Sequence, residues 1–387
     1  MGNNTSITEH KRHYYRELLC IGVPIIIGQL GTIILGFADT LMIGHHSTEE
    51  LAAAGLVNNI ITFILVSYMG FSYGLTPIIG KLYGMEKTDK IGQKVKNSFF
   101  ANMVVGVIFS LALIILYFNL HRIGQPEELL ALIRPYFIVN LISVLFVGVF
   151  NTLKQFLDGI GNTKVAMWVM IMGNIVNIFG NWVLIYGVGP CPEMGLLGAG
   201  ISTLASRVLM AVAMVGIIAG TKEYREYRNN IIASRINGAD FREMNRLGWP
   251  VALQLALESG AFTLSCVMVG WLGTIPLAAH QVMITISQLF YLVLSGMAAA
   301  LAIRVSHFVG QNDFAAVRRN AYDGWRLNLL FSLCMGIPVL LLRHQIGGWF
   351  NDNVEVQQYV ALLIIMMMLY QFGDGLQYTF ANALRGI

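Results

Sequence analysis

Residues 18–42 read LLCIGVPIIIGQLGTIILGFADTLM, and only Asp39 within this stretch carries a charge. About 20 consecutive apolar residues in a helix are enough to cross a bilayer core. A helix is the way such a segment satisfies its own backbone hydrogen bonds in lipid. We therefore predict a membrane-spanning helix here, preceded by the basic residues Lys11, Arg12 and Arg16.

The rest of the chain repeats this pattern. Of its 387 residues, 56% are hydrophobic and 12% are charged, against roughly 25% charged in an average soluble domain. So little charge cannot cover a soluble surface of this size, which excludes a nucleic-acid-binding domain, a coiled coil or a secreted disulfide scaffold. The composition predicts an all-α polytopic membrane protein. Its ten spans, numbered in chain order, are 18–42, 52–80, 98–119, 132–157, 165–187, 196–219, 247–271, 277–303, 326–346 and 356–382.

Lysine and arginine are divided unevenly between the loops on the two sides of these spans. One side carries 21 of them, and the other carries three, namely Arg122, Arg134 and Arg343. Cytoplasmic loops of membrane proteins are enriched in Lys and Arg. The sequence therefore predicts that the N-terminus is cytoplasmic, and it accounts for the basic loops without any nucleic-acid partner.

A long internal repeat relates the two halves of the chain. A shift of 226 residues superimposes identical residues in spans 1 and 2 on those in spans 7 and 8. The pairs include Pro24 and Pro250, Gly44 and Gly270, Gly70 and Gly296, and Gly84 and Gly310. Six spans separate the copies, so both halves have the same orientation, as in transporters built from parallel repeats.

The repeat also predicts the organisation of the lobes. We expect an N-terminal lobe at 1–220, a cytoplasmic linker at 221–246 and a C-terminal lobe at 247–387. The first copy runs roughly 60 residues further than the second, which predicts two pseudo-symmetric six-helix bundles. Ten transmembrane helices of an expected twelve are then present, and we expect the C-terminal lobe of this sequence to be incomplete.

Three carboxylates lie inside predicted spans. Asp39 is in span 1, Glu258 in span 7 and Asp374 in span 10. Ionisable residues at membrane depth are costly and usually functional. The repeat places Ser265, Thr32 and Val147 opposite them, so the carboxylates do not belong to the shared scaffold. The alternative interpretation is a structural hydrogen-bond partner, or a side chain that reaches the interface.

Other polar and helix-breaking residues accompany the acids. Asn177 and Asn181 are four residues apart in span 5 and share a helical face, where they could coordinate a cation or join helices. Thr203 in span 6 adds a hydroxyl. Pro24 and Pro250 are expected to kink spans 1 and 7, either at a moving region or as static bends.

The sequence contains no ATPase motif. Gly80-Lys81 lacks the glycine that a P-loop requires five residues earlier, because Leu75 occupies that position. Transport would therefore draw on an ion gradient, with no cofactor other than the coupling ion.

Several short motifs, in order along nearly the whole chain, resemble the multidrug and toxic compound extrusion (MATE) transporters, and specifically their NorM-type bacterial branch. They are ADTLMIG at 38–44, DGIGNT at 158–163, NIFGNW at 177–182, LAAHQV at 277–282, IRV at 303–305, DGLQ at 374–377 and LRG at 384–386.

The resemblance implies twelve helices in two lobes and export of cationic or amphipathic compounds in exchange for Na⁺ or H⁺. It also implies location in the bacterial inner membrane. Glu258 and Asp374 match the family's cation-site acids and are the candidate Na⁺ ligands. Asp39, Asn177, Asn181 and Thr203 match the polar cluster of its N-terminal lobe. We expect small-molecule substrates and membrane lipid as partners of a monomer.

Three alternatives remain at this point. A lipid-linked oligosaccharide flippase of related architecture would need cationic residues in its cleft, and only Arg207 is available. An intramembrane enzyme could use the acids as a catalytic pair, but no nucleophile motif or metal-ligand set accompanies them. The third alternative is an inactive fragment of a transporter.

Overall fold

The computed structural model describes residues 2–123 and 126–387, with side chains from residue 14 onwards except at 123. The described residues form helices and no β-strand. The α-helices are α1 Gly2–His46, α2 Thr48–Ser72, α3 Leu75–Gly84, α4 Thr88–Phe118, α5 Glu127–Gly159, α6 Thr163–Tyr186, α7 Gly195–Gly220, α8 Arg225–Ala233, α9 Gly238–Gly270, α10 Thr274–Gly310, α11 Phe314–Leu341, α12 Arg343–Phe350 and α13 Val354–Arg385. Short 3₁₀ turns lie at Leu120–Ile123 and Lys222–Tyr224.

Ten helical segments of the described chain are long and apolar enough to cross a membrane. They correspond in order to the ten predicted spans, and α2 and α3 together form the second. The short helices α8 and α12 do not belong to any span. The prediction of an all-α membrane protein with ten spans is confirmed. The helices extend beyond the apolar stretches because their polar ends continue the same backbone hydrogen bonding outside the hydrocarbon.

The ninth span ends earlier than the sequence predicts. The apolar stretch at 326–346 runs across a break, because α11 ends at Leu341 and α12 begins at Arg343. At the break, the Leu342 backbone N–H bonds to the carbonyls of Pro338 and Leu340. Ile346 beyond it is buried, so the apolar pattern continues through the turn and conceals it.

The internal repeat is visible in backbone geometry. Helices α3 and α10 end at Gly84 and Gly310, 226 residues apart. Each is followed two residues later by a non-glycine residue with positive φ, Glu86 and Asn312, both at 57°. Such a conformation is uncommon for non-glycine residues. The same turn therefore joins the second and third spans of both halves.

Close helix packing repeats as well. A Cβ atom built on Gly22 would lie 2.6 Å from Met297, and one built on Gly248 would lie 2.7 Å from Phe71. Gly22 and Gly248 are equivalent in the repeat, as are their two neighbours. The absence of a side chain at these glycines lets α1 approach α10, and α9 approach α2.

The helices pack into two compact units. One is residues 27–256, the contiguous unit, and the other is residues 1–26 together with 257–387, the split unit. The boundaries fall inside α1 and α9, shortly after Pro24 and Pro250, which lie within otherwise continuous helices. The lobes at 1–220 and 247–387 were defined by the repeat rather than by packing, and they stay a prediction, as do the two kinks.

Candidate functional site

Helices α1, α6 and α7 bring one group of predicted site residues together within the contiguous unit. The Asn181 side-chain amide donates to Asp39 Oδ1 over 2.5 Å. Asn177 and Asn181 are fully buried, one turn apart on α6. A carboxylate at membrane depth is therefore held by an amide from a helix 142 residues away.

The Asn177 amide can join the same group. In one orientation its nitrogen lies 3.2 Å from Thr203 Oγ1 and 3.3 Å from Ser206 Oγ. Rotated by 180°, the nitrogen donates to Asp39 Oδ1 over 3.1 Å, and the oxygen accepts from the Thr203 backbone N–H. The rotated amide satisfies both of its ends, so we favour that arrangement, in which two asparagines donate to one carboxylate.

Arg207 lies beside this group. It donates to Ser143 Oγ on α5 and interacts electrostatically with Asp39. Arg207 therefore compensates the Asp39 charge. Ser143 and Ser206 were not predicted, because a serine inside an apolar helix also bonds its own backbone and carries no distinctive spacing.

Helices α9 and α13 bring the other two acids together within the split unit. The Tyr378 hydroxyl donates to Glu258 Oε1, a contact between residues 120 positions apart. Glu258 Oε2 is buried without a hydrogen-bond partner. Asp374 is 6% exposed and interacts with both Glu258 and Tyr370. The two carboxyl groups therefore form one site.

Aromatic and amide side chains of α10 and α13 lie near this acid pair. Tyr370 and Tyr378 lie one turn before and one turn after Asp374 on α13, so all three share a face. Tyr291 on α10 packs edge-on against Tyr378, with ring centroids 5.2 Å apart. Gln371 donates to Ser287 over 2.7 Å. The two tyrosines were not predicted, although their spacing of four residues on either side of Asp374 is a signal that could have identified them.

The donor set of the acid pair consists of oxygen atoms. Carboxylate and hydroxyl oxygens are hard ligands that suit Na⁺ or a proton rather than a transition metal. The described residues contain no group of three or more His, Cys, Asp or Glu residues that could hold a metal ion. The cation site at Glu258 and Asp374 stays a prediction, with two carboxylates as its acids.

A family model described as MatE matches residues 24–183 and 250–387. A relative called "Multidrug resistance protein NorM", from Photobacterium profundum, is 28% identical over 380 residues, covering 97% of this chain and 82% of the relative.

The fold is similar to those of solved MATE transporters. The crystal structure of the eukaryotic MATE transporter AtDTX14 gives a TM-score of 0.83 at 18% identity and covers 97% of this chain and 83% of that one. A crystal structure of MATE in complex with MaD3S gives a TM-score of 0.86 at 19% identity and covers 96% of this chain and 83% of that one. At these identities the likeness establishes the fold.

Proposed function

Because the chain belongs to the MatE family and is 28% identical over 380 residues to a multidrug resistance protein, NorM, we propose that it is an ion-coupled antiporter. It exports cationic or amphipathic compounds in exchange for Na⁺ or H⁺. The observation that carries the proposal is the site formed by Glu258 and Asp374. Two carboxyl groups lie there near tyrosines, and one carboxylate oxygen of Glu258 is buried without a partner.

The chemistry of exchange follows from that arrangement. A buried carboxylate is stable when a cation, a proton or a hydrogen-bond donor compensates it. Glu258 has the Tyr378 hydroxyl on one oxygen only. A Na⁺ ion or a proton on the other oxygen neutralises the Glu258 carboxylate, and a cationic substrate that arrives displaces it. Coupling therefore needs no chemistry beyond competition for the same negative charge.

Reconstituted protein tests this function. We expect liposomes containing the purified protein to transport a fluorescent organic cation when an inward Na⁺ or H⁺ gradient is imposed, and not in its absence. Dissipation of the gradient with the matching ionophore should stop transport. Equal transport with and without a gradient would contradict ion coupling, whereas transport of a lipid-linked oligosaccharide analogue instead of the dye would favour a flippase.

Asp39 is expected to contribute to transport as well. Substitution Asp39→Asn keeps an acceptor for the Asn181 amide, but removes the charge that Arg207 compensates. We expect transport to fall clearly, though less than after loss of the Glu258 and Asp374 pair. The matched control is Asp89→Asn, an exposed carboxylate near the start of α4. Unchanged transport in Asp39→Asn would remove Asp39 from the coupling machinery.

The proposed orientation places the N-terminus and the basic loops in the cytoplasm of a bacterial cell. In a variant without native cysteines, an exposed site in each class of loop reports the orientation. We expect Asp89→Cys to react with an impermeant maleimide only after permeabilisation, and His121→Cys to react in intact cells. The reverse pattern would invert the topology.

A further inference from the structure

Two charged cavities lie outside the acid sites, one in each compact unit. The cavity of the split unit has a volume of about 480 Å³ and is lined by Glu17, Arg304, His307 and Arg319 among others. The cavity of the contiguous unit has a volume of about 370 Å³. Its charged lining consists of Lys81, Lys90, Lys94, Asp240 and Glu243.

The two cavities are the same place in the two halves of the repeat. Eight lining residues of one coincide with eight of the other when the chain is shifted by 226. The pairs are Ile78 and Arg304, Lys81 and His307, Leu82 and Phe308, Met85 and Gln311, Lys90 and Ala316, Gln93 and Arg319, Asp240 and Tyr14, and Glu243 and Glu17. The equivalent positive-φ turns confirm that this register holds between α3 or α10 and the following helix.

Each cavity contains one glutamate that is held by a cation. The two glutamates occupy equivalent positions in the repeat. Glu17 is paired with Arg304, and Glu243 is paired with Lys94. The cations do not occupy equivalent positions, because Ile78 is the counterpart of Arg304 and Asn320 that of Lys94. The two halves therefore reach the same charge arrangement with different residues.

Each cavity has further cations beside the one that pairs with its glutamate, and only the cavity of the contiguous unit has more cations than carboxylates. In the contiguous unit, Lys94 Nζ lies 2.7 Å from Asp240 Oδ1, and Gln93 Nε2 donates to Asp240 Oδ2 over 2.7 Å. Lys81 and Lys90 line the cavity as additional cations. In the split unit, Arg319 is the second arginine of the lining, and the carboxylate of Asp313 lines the same cavity and accepts the Ala316 backbone N–H. Arg304 also keeps a buried Nε–H without a hydrogen-bond partner.

Arg304 is held in a fixed orientation. Its guanidinium lies 4.7 Å from the centre of the Tyr14 ring and 5.3 Å from that of Phe308, and its side chain is 11% exposed. An arginine that lies against two stacked rings and pairs with Glu17 is preorganised, and its unpartnered N–H offers a donor for an acceptor oxygen. A phosphate oxygen meets that requirement.

We propose that both cavities bind the phosphate group of an anionic phospholipid headgroup. Both lie at the ends of membrane spans, where α3 and α10 end and where candidate span Tyr14–His46 begins. Basic pockets at helix ends on the cytoplasmic side are suited to such headgroups. A free phosphate ion carries the same chemistry, but the position of the cavities at the membrane boundary favours the lipid.

Lipid binding by the purified protein in detergent tests the proposal, independently of transport. Native mass spectrometry with dioleoylphosphatidylglycerol should show two tightly retained lipids, and dioleoylphosphatidylcholine should show none. Lys90→Gln and Arg319→Gln should each weaken the binding of one of the two lipids about fivefold, since one cation near a headgroup contributes about 1 kcal/mol.

Neighbouring charges provide matched controls. Lys87→Gln and Arg318→Gln remove the same charge nearby from residues that do not line the cavities, and we expect them to retain both lipids. Lys90→Arg and Arg319→Lys should also retain them, which separates loss of charge from misfolding.

Equal phosphatidylglycerol binding by the cavity variants and their controls would overturn the proposal. Loss of lipid from the charge-conserving variants would overturn it too, as would equal retention of phosphatidylcholine. Displacement of phosphatidylglycerol by inorganic phosphate at millimolar concentration would overturn the assignment to lipid, and resistance to displacement supports it.

Discussion

Glu258→Gln and Asp374→Asn are each expected to reduce ion-driven efflux to the level of protein-free liposomes. Either amide keeps the shape of the side chain and removes the charge that a Na⁺ ion or proton would compensate. Neutral amides are cheaper to bury than carboxylates, so insertion and thermal stability should not fall. The measurement is gradient-driven dye transport, with protein insertion quantified in the same liposomes.

A control on the same helix separates this effect from a general loss of charge. Glu355 lies in the first turn of α13 and is exposed, so Glu355→Gln should transport normally. The transport rate of Tyr378→Phe should lie between those of Glu258→Gln and Glu355→Gln, because this change removes a hydrogen bond to Glu258 and leaves the charge. Normal coupled efflux by Glu258→Gln and by Asp374→Asn would show that the acid pair does not carry the coupling ion.

Gly148→Val is expected to destabilise the contiguous unit strongly. Tyr68 is fully buried, donates to the Asn102 carbonyl over 2.7 Å and packs against Phe109. A Cβ atom on Gly148 would overlap the Tyr68 hydroxyl and lie 2.6 Å from Cζ. Because the ring is fixed, the cost should exceed the roughly 1–3 kcal/mol typical of an overpacked core.

Fluorescence-detected size exclusion and thermal unfolding in detergent measure this effect. Gly216→Val on α7 is the control, since nothing lies within 4 Å of a Cβ built there. Combining Gly148→Val with Tyr68→Ala should cost less than the sum of the single changes, because the second change removes the clashing ring. If the stability costs of Gly148→Val and Tyr68→Ala were strictly additive, the clash with the Tyr68 ring would not be the cause of the destabilisation.

The number of membrane-spanning segments and their helical type could be predicted because lipid makes long apolar stretches unambiguous. Spacing also showed that Asn177 and Asn181 share a face. Which helix that face meets is a tertiary property, so periodicity could not predict the bond from Asn181 to Asp39 or the contact of Tyr378 with Glu258. The turn at Leu342 was missed because burial continues across it.

The repeat was recognised through glycines and prolines, whose backbone roles leave identical residues at equivalent positions. The charges around the twin cavities did not stand out, because Glu17 and Glu243 are identical but the cations that bind them are displaced along the chain. A comparison of residue types position by position detects the first kind of equivalence, and only coordinates detect the second.

The division of α1 between the two units has a consequence for biosynthesis. Residues 27–256 are continuous in the chain, so their packing partners leave the ribosome together. Residues 1–26 pack with a unit whose remainder begins at Leu257, about 230 residues later. At roughly 5–20 residues per second, the first helix waits on the order of 10–50 s for its partners. During that interval its N-terminal half depends on lipid, or on an insertion chaperone, to shield its apolar surface.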